Sequence, residues 1–365
     1  MRPRVYINGR FLTQVPSGMQ RFALCLLEAW DELRAKQPEE TLPAVTVLTP
    51  SAVEKRPQLG TMSFHTVEGL HGHAWEQTQL PWASRDGVLV SLTAAGPVLH
   101  RNQLVVMHDA GIFAVPGNFS GTYRALHGLL RPRLAKSARQ LATVSDFSRQ
   151  ELARYCRVSA ERFAIIPNSA EHVLGTAADP GILARNGLQS GRYFLSVGNQ
   201  SPNKNLHAAA RALEQASLPG YDLAVVGAAS PRIFGSDALI AGDHVKLLGR
   251  VDDAGLRALY EHAVALVFPS LYEGFGIPPL EAMTLGCPVI SSNRSAMPEV
   301  LGADAILVDP HDHRSIAEAM RAVATDPAVA DRLRLGGRRR SATYSWSTGA
   351  QVLENLVDGL SGSMR

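Results

Sequence analysis

The 365-residue sequence has few cysteines and no long apolar run, and each absence limits what the chain can be. Its three cysteines, Cys25, Cys156 and Cys287, are widely spaced and odd in number, so they form neither a disulfide framework nor a metal pattern. No apolar run approaches the roughly 18–20 residues of a membrane span. The N-terminus lacks the apolar core and cleavage site of a signal peptide. We therefore expect a cytoplasmic protein whose only membrane contact would be peripheral.

The sequence also lacks a large excess of charge. It has 36 Lys and Arg residues against 33 Asp and Glu residues, and the net charge of +3 gives no reason to expect a nucleic-acid partner. Hydrophobic residues make up 45% of the chain, as in globular proteins, and 365 residues are enough for two domains of ordinary size. The sequence shows no internal repeat and no low-complexity segment.

Short apolar runs alternate with amphipathic segments through both halves of the chain. Runs such as Val5–Ile7 and Leu104–Met107 are typical of strands, and the segment from Phe22 to Leu33 places apolar side chains on one helical face. This alternation predicts an α/β protein with two doubly wound parallel sheets, that is, two Rossmann-like domains. Because ligands bind outside the carboxyl ends of such strands, we expect the site in a cleft that the two domains face.

Composition places the domain boundary near residue 172. Residues 172–192 are rich in Gly, Ala and Asp and lack a periodic pattern, which indicates a linker. We therefore predict an N-terminal domain over residues 1–172 and a C-terminal domain over residues 173–345. Residues 50–87 show no clear pattern, and we expect them to be irregular.

The stretch from Tyr272 to Glu281 is the most informative part of the sequence. It follows the apolar run 265–268, holds two glycines between two glutamates, and continues into Pro278 and Pro279. Proline suits the first helical turn, where a missing N–H costs nothing. A glycine loop that leads into a helix presents free backbone N–H groups and the positive end of the helix dipole. The stretch therefore predicts an anion site, for which phosphate is the usual ligand.

Other site chemistries find less support in the residues. No Gly-X-Gly-X-X-Gly follows a first strand in either half, which argues against an NAD-dependent oxidoreductase. His65, His71 and His73 have no carboxylate or cysteine at a spacing that completes a metal site, so we expect no metal and no other cofactor. Trp75 and Trp82 could stack on a sugar or belong to the core, and the sequence leaves both interpretations open.

Residues 193–310 resemble the retaining glycosyltransferases of family 4, which have the GT-B fold. The matching motifs occur in order and at family spacing, and they are Val197-Gly-Asn-Gln-Ser-Pro-Asn-Lys-Asn205, Leu248-Gly-Arg-Val251, Phe268-Pro-Ser-Leu-Tyr-Glu-Gly-Phe-Gly-Ile-Pro-Pro-Leu-Glu-Ala-Met283, Gly286-Cys-Pro-Val289, Pro298-Glu-Val-Leu-Gly302 and Val308-Asp-Pro310. The first half is similar more loosely, at Pro16-Ser-Gly-Met-Gln-Arg21, Trp75-Glu-Gln77, His108-Asp109 and Val144-Ser-Asp-Phe-Ser-Arg149. The resemblance also implies that a final helix, residues 346–360, packs back on the first domain.

The resemblance implies a nucleoside diphosphate sugar as the donor substrate. Its departing diphosphate gains negative charge in the transition state, and Lys204 would be the cation that stabilises this charge. The family commonly has an arginine just after the glycine that ends the strand, where this sequence has Asn199. The second diphosphate contact could instead come from Arg250 or from the backbone N–H groups of three loop residues, Phe275, Gly276 and Ile277.

Four further residues acquire roles from the same resemblance. Glu281 would accept hydrogen bonds from the ribose hydroxyls, and Glu273 would lie beside the transferred sugar. His108 would contact the donor sugar or the reaction centre, and Gly18 would let the backbone approach the diphosphate. Each also has a plain structural interpretation. Glu281 could complement the helix dipole, and Glu273 could be a solvated loop residue. His108 could be a histidine hydrogen-bonded at a strand end, and Gly18 could be a turn glycine.

A basic segment in the first half raises the question of a membrane partner. It carries eight basic residues against only Asp146 and Glu151. Such a face would attract anionic lipid headgroups or a lipid-linked acceptor, although arginines on a solvated helix explain it equally well. The basic residues are Arg124, Arg131, Arg133, Lys136, Arg139, Arg149, Arg154 and Arg157.

The sequence thus predicts a retaining glycosyltransferase that moves a hexose to a saccharide or lipid-linked saccharide acceptor in surface polysaccharide synthesis. Mannose from GDP-mannose is the donor we favour, and UDP-glucose or UDP-N-acetylglucosamine remain open. In this family the reaction is usually described as a front-face displacement in which the leaving phosphate helps to deprotonate the acceptor. A nucleotide-sugar epimerase on the same fold and a non-catalytic sugar-nucleotide-binding protein are the alternatives.

Overall fold

A computed structural model gives the fold of the chain. It describes residues 4–362 except 16, 39, 41, 54–55, 200 and 228–243. Two residues of the family motifs, Pro16 and Gln200, therefore lie outside the described residues.

The chain divides into two compact units. Unit 1 comprises Met1–Phe113, Phe119–Asn168 and Ser345–Arg365, and unit 2 comprises Ala114–Asn118 and Ser169–Tyr344. The sequence predicts a domain boundary between residues 172 and 173. In the structure the chain passes from unit 1 to unit 2 between Asn168 and Ser169.

Unit 1 is built on a seven-stranded sheet in which every described strand pair is parallel. Its strand order is β3-β2-β1-β4-β5-β6-β7, so the order reverses between β1 and β4. The strands are β1 Arg4–Asn8, β2 Val45–Thr49, β3 Met62–Thr66, β4 Gly87–Ser91, β5 Gln103–Val106, β6 Gln140–Thr143 and β7 Phe163–Ile165.

Unit 2 is built on a six-stranded parallel sheet of order β10-β9-β8-β11-β12-β13, which reverses between β8 and β11. Two doubly wound sheets in one chain are the predicted fold class, and this prediction is confirmed. The strands are β8 Tyr193–Val197, β9 Asp222–Val226, β10 Val245–Gly249, β11 Ala265–Phe268, β12 Val289–Ser292 and β13 Ile306–Val308.

Helices connect the strands in both units. In unit 1 they are α1 Gly18–Ala35, α2 Gly72–Gln77, α3 Gln79–Ala83, α4 Gly111–Ala114 (whose last residue belongs to unit 2), α5 Gly121–Ser137, α6 Asp146–Cys156 and α14 Trp346–Gly362. In unit 2 they are α7 Gly181–Arg185, α8 Leu206–Ala216, α9 Asp253–His262, α10 Ile277–Thr284, α11 Met297–Leu301, α12 His313–Thr325 and α13 Pro327–Ser341. None of the described helices combines the length and the low polarity that a bilayer crossing requires.

Local sequence signals explain where several helices begin and end. Ser145 caps α6 by accepting a hydrogen bond from the N–H of Ser148, and Asp252 caps α9 by accepting from the N–H of Gly255. Gly286 follows the end of α10 with φ +76°, a left-handed conformation that glycine adopts without a steric cost. These signals were visible in the sequence, and the helices form where they predict.

Two expectations about irregular segments are wrong. Residues 50–87 contain β3, α2 and α3, because the apolar side chains of Met62, Trp75 and Leu80 complete the core of unit 1. Residues 172–192 contain α7, whose Ile182 and Leu183 are buried, so this segment belongs to unit 2 and is not a free linker. In both segments, the elements are too short for the periodic pattern to reveal them.

The final helix α14 packs against α1 within unit 1. The Trp346 ring meets the Phe22 ring with a centroid distance of 6.0 Å, and the indole N–H of Trp30 donates a hydrogen bond to Glu354. Leu353 and Val357 of α14 are buried. The first unit therefore needs the last helix of the described chain to close its core.

Replacing Leu353 by Ala is expected to destabilise unit 1 by about 2–5 kcal/mol, because it leaves a cavity in a well-packed core. All four tryptophans, Trp30, Trp75, Trp82 and Trp346, lie in unit 1, so tryptophan fluorescence during urea unfolding reports this unit alone. As a control, Leu129→Ala on α5, where the side chain is 53% exposed, should change stability by less than about 0.5 kcal/mol. Equal effects of the two substitutions would contradict the packing of α14 on α1.

Candidate active site

The loops that carry the predicted donor residues meet at the carboxyl edge of the second sheet. The loop after β8 and the loop after β11 are neighbours because these two strands lie side by side where the strand order reverses. Asn203 joins the loops: its backbone carbonyl accepts from the N–H of Leu271 at 2.7 Å, and its side-chain amide donates to the carbonyl of Tyr272 at 3.1 Å. A reversal point of this kind is where doubly wound sheets bind ligands.

Lys204 and Glu273 form an ion pair at this point. The Lys204 ammonium donates to Glu273 Oε1 at 2.6 Å, and the two side chains are only 16% and 14% exposed. The ammonium also lies 5.1 Å from the centre of the Phe268 ring at the end of β11. An ammonium has three protons, so Lys204 keeps donors for a further oxygen while Glu273 holds it in place.

The helix α10 begins directly after this ion pair. Gly276 is its N-cap with φ +93°, and a Cβ at this position would lie 2.4 Å from the Cε atom of Met297. Proline occupies the next two positions after Ile277, and proline has no N–H to donate. The N–H donors that the start of this helix can offer therefore come from Ile277 and the residues before it, including Phe275 and Gly276.

Glu281, on α10, is 5% exposed, and both of its carboxylate oxygens accept hydrogen bonds. Its Oε1 pairs with Nε2 of His172 at 2.9 Å, and its Oε2 accepts from the hydroxyl of Tyr260 at 2.9 Å. Each carboxylate oxygen has a second lone pair, so two acceptor positions remain for a ligand. The predicted dipole-complementing interpretation is too simple, because Glu281 is a buried and oriented carboxylate.

Sequence reasoning did not identify the partners of Glu281. His172 lies 109 residues before Glu281, in the 3-10 turn Glu171–Gly175, and no motif marks it. Tyr260 lies on α9, and its position there gave no sign that its hydroxyl donates to a glutamate on another helix.

The other predicted donor residues of unit 2 are more exposed. Asn199 is exposed, and its Oδ1 accepts from the hydroxyl of Ser201 at 2.9 Å, so it does not replace the charge of an arginine. Arg250 is exposed just after β10, two strands away from β8. Phe275 is buried and meets the ring of Tyr344 edge-on, with a centroid distance of 5.5 Å. These three residues stay candidates for donor contacts.

Two predicted residues belong to unit 1. Gly18 is the first residue of α1, after the N-cap residue Ser17. His108 follows β5, is buried, and donates from Nε2 to the carbonyl of Leu92 at 2.8 Å, with its ring against the edge of Phe22. Burial lowers the pKa of His108, so the ring is neutral and its remaining lone pair is on Nδ1. It is a hydrogen-bonded histidine at a strand end, and it can contact a ligand only as an acceptor.

The structure also shows where Trp75, Trp82 and the basic segment of the first half lie. Trp75 is fully buried and donates its indole N–H to the carbonyl of Val67 at 2.8 Å, so it belongs to the core. Trp82 is 67% exposed, with the Arg85 guanidinium 4.3 Å from its ring centre. In the basic segment Arg131 is buried, whereas most of the other basic side chains are exposed. Within the described parts of the chain, no group of three or more His, Cys, Asp or Glu side chains is placed to hold a metal ion.

Comparison with known proteins decides the family. The family described as "Glycosyl transferases group 1" matches residues 183–340, which include the whole Lys204–Glu273–Glu281 arrangement. The O-antigen chain mannosyltransferase RfbU of Salmonella typhimurium is 30% identical over 263 residues, covering 71% of this chain and 70% of that protein. This chain is a member of the group 1 glycosyltransferases. The O-antigen chain mannosyltransferase B of Escherichia coli is also 30% identical, over 68% of each chain.

Solved structures show the same fold as this glycosyltransferase. The sucrose-phosphate synthase of Thermosynechococcus elongatus superposes with a TM-score of 0.74 at 19% identity, over 100% of both chains. HepE of Anabaena, solved in complex with UDP and glucose, superposes with a TM-score of 0.75 at 17% identity, over 98% of this chain and 100% of that one. These structures confirm the predicted GT-B fold, and membership of the group 1 family confirms the predicted glycosyltransferase activity.

The Lys204–Glu273 pair of the glycosyltransferase is expected to show an energetic coupling of about 1–3 kcal/mol, because removing either partner leaves the other charge largely buried. The measurement is a double-mutant cycle with Lys204→Met and Glu273→Gln, followed by calorimetry. The control is the exposed pair Arg314–Glu318, 84% and 56% exposed, for which Arg314→Met and Glu318→Gln should give a coupling below about 0.5 kcal/mol. A coupling near zero for both pairs would show that Glu273 does not hold Lys204.

Proposed function

We propose that this glycosyltransferase transfers a mannosyl residue from GDP-mannose, with retention of anomeric configuration, to a saccharide or lipid-linked saccharide acceptor. The observation that carries the proposal is the Lys204 ammonium, held 2.6 Å from Glu273 beside the start of α10. It combines a fixed cation with a helix N-terminus, and together these stabilise the charge that develops on a departing diphosphate.

Different residues of unit 2 contact different parts of the donor in this proposal. Lys204 donates its remaining protons to the diphosphate, and the N–H groups before Pro278 add uncharged donors. Glu281 accepts hydrogen bonds from the ribose hydroxyls through the lone pairs that its hydrogen bonds with His172 and Tyr260 do not use. Glu273 keeps Oε2 for a hydroxyl of the transferred sugar and places a negative charge near the positive sugar ring of the transition state. No metal or other cofactor takes part in this scheme.

The mechanism that fits these roles is a displacement on one face of the sugar. Glu273 is held by Lys204, so it is an electrostatic and hydrogen-bonding group rather than a free nucleophile. An oxygen of the leaving diphosphate then takes the proton of the acceptor hydroxyl as the new glycosidic bond forms. Because the proton passes between the two substrates, no protein side chain has to act as the general base.

Mannose is supported by the relatives. Two of them are named O-antigen chain mannosyltransferases, and a third is the "MMP alpha-(1->4)-mannosyltransferase" of Mycolicibacterium hassiacum, 30% identical over 61% of this chain. The two O-antigen names also support a role in surface polysaccharide synthesis. A UDP-sugar donor is the second candidate, because HepE of Anabaena has the same fold and was solved with UDP and glucose.

A thermal-shift panel of GDP, UDP and ADP distinguishes these donors. A nucleotide present at about 100 times its dissociation constant adds about 2.7 kcal/mol of stability to the unit that binds it. We expect GDP to raise the melting temperature most, and mass spectrometry of the reaction with GDP-mannose to show release of GDP. A larger rise in melting temperature with UDP would indicate a UDP-sugar donor instead of GDP-mannose. No rise with any of the three nucleotides would contradict a nucleotide-sugar donor.

Tyr260→Phe is expected to weaken GDP binding about tenfold, because the change removes a hydroxyl that orients the carboxylate of Glu281. Tyr193→Phe is the matched control: Tyr193 is also fully buried, and its hydroxyl donates to the carbonyl of Leu259 at 2.7 Å instead of to Glu281. Both changes should lower stability by about 0.5–1.5 kcal/mol, and only the first should change GDP affinity in isothermal titration calorimetry. Equal affinity losses would mean that Glu281 has no special relation to the ribose.

A further inference from the structure

A 3-10 turn in the connection between the two sheets lies against the helix that carries Glu281. The turn, Glu171–Gly175, comes shortly after the chain passes into unit 2 at Ser169, and it packs against α10. From this turn, Nε2 of His172 lies 2.9 Å from Oε1 of Glu281. The two side chains are only 11% and 6% exposed, so water weakens their contact little. A residue of the connection therefore contacts the carboxylate that we assign to the donor.

Hydrogen bonds, rather than burial in the core, hold this turn in place. Each of its five residues is at least partly exposed. Arg257 of α9 fixes the backbone, because its guanidinium donates to a run of carbonyls. Its Nη1 lies 3.4 Å from the carbonyl of Val173, 3.1 Å from that of Leu174 and 2.7 Å from that of Thr176. Its Nε donates to Glu261, one turn further along α9, at 2.8 Å. The backbone of the turn therefore has a fixed position relative to α9.

The helix that anchors the turn also supplies the second partner of Glu281. Arg257 and Tyr260 are three residues apart on α9, so their side chains leave the same face. Tyr260 is fully buried, and its hydroxyl donates to Oε2 of Glu281 at 2.9 Å. One donor therefore engages each oxygen of the carboxylate, His172 on Oε1 and Tyr260 on Oε2. A glutamate side chain has several rotatable bonds, and donors on both oxygens fix the plane of its carboxylate.

The fixed carboxylate matches a pair of neighbouring hydroxyl groups. Because a carboxylate only accepts hydrogen bonds, the proton of the His172 contact is on Nε2, and each oxygen of Glu281 keeps a further lone pair. The 2′ and 3′ hydroxyls of a ribose are adjacent donors, one for each oxygen. A carboxylate that is already held loses less conformational entropy when it binds them. This chemistry relates His172 to the ribose rather than to the base or the diphosphate.

We propose that His172 is a positioning residue for the ribose of the nucleotide donor, and that it makes the site selective for ribonucleotides over deoxyribonucleotides. It acts through Glu281, whose carboxylate it orients towards the two ribose hydroxyls. This inference rests on the proposed function, because it concerns the donor of that reaction. A purely structural contact between His172 and Glu281 has a different consequence: its loss weakens the binding of every nucleotide equally, whether or not the ribose hydroxyls are present.

Paired nucleotides measure the effect of the ribose hydroxyls directly. The probes are GDP and 2′,3′-dideoxy-GDP, titrated into the full chain by isothermal titration calorimetry. The unchanged chain should bind GDP at least about tenfold more tightly, since a buried acceptor that is left without its hydroxyl is unfavourable. His172→Met, which keeps a side chain of similar length and removes the donor, should weaken GDP binding about tenfold and dideoxy-GDP binding less than about twofold.

A conservative variant and a control separate positioning from packing. His172→Gln places an amide N–H where Nε2 lies, so it should restore most of the preference for GDP. His172→Asn reaches only the position of Nδ1 and should behave like His172→Met, which keeps the test decisive if one of these two variants does not fold. The control is His262→Met, which should leave both affinities unchanged. Nδ1 of His262 pairs with the hydroxyl of Ser190 at 2.9 Å, and His262 precedes β11, at the amino edge of the same sheet.

The ratio of the two affinities decides the outcome. The proposal is overturned if the unchanged chain binds both nucleotides equally, if His172→Met weakens both equally, or if His172→Met and His172→Asn leave GDP binding unchanged. If the nucleotide panel selects UDP, UDP and 2′,3′-dideoxy-UDP replace the guanine pair, and the same ratios apply. A chain that binds none of GDP, UDP and ADP contradicts the proposed function and this inference together. A chain that binds GDP with the same preference in all variants contradicts this inference alone, so the two failures are distinguishable.

Discussion

Parallel pairing is the constraint on which the rest of this structure depends. Two parallel strands that follow each other in the chain can be joined only by a crossover connection. The carboxyl ends of all strands therefore lie along one edge of the sheet, and each is followed by a loop. Where the strand order reverses, the two neighbouring loops diverge and leave a crevice. The chain uses this geometry twice. One crevice holds the Lys204–Glu273 ion pair, and the other holds the buried carboxylate of Glu76.

Charge compensation follows the same rule in both crevices. Glu273 balances Lys204, and Arg10 balances Glu76, so neither crevice holds an isolated buried charge. An unpaired charge with so little exposure would cost several kcal/mol, whereas a pair keeps the crevice ionised and rigid. In the unit 2 pair, Lys204 keeps two further protons and Glu273 keeps Oε2, which are the groups that the proposed donor contacts require.

The sequence predicts much of the fold because strands and helices are local in origin. Apolar runs such as Ala265–Phe268 and caps such as Ser145 encode their element within a few residues. The glycine loop after Glu273 and the proline-led start of α10 were predictable for the same reason, since loop and helix are contiguous. The contacts of Glu281 with His172 and Tyr260 were not, because pairing across 109 and 21 residues depends on packing that no local pattern records. Trp75 likewise became a core residue only through the tertiary fold.

The discontinuity of unit 1 has a consequence for biosynthesis. The last residue of unit 2, Tyr344, is made before α14, whereas the core of unit 1 stays open until α14 has been synthesised. Unit 2 can therefore fold on the ribosome while the apolar face of α1 is still uncovered and available to chaperones. A chain that terminates before α14 would keep unit 2 intact and leave unit 1 open to proteolysis. Unit 1 thus begins before unit 2 in the chain and completes its core only after unit 2 has been made.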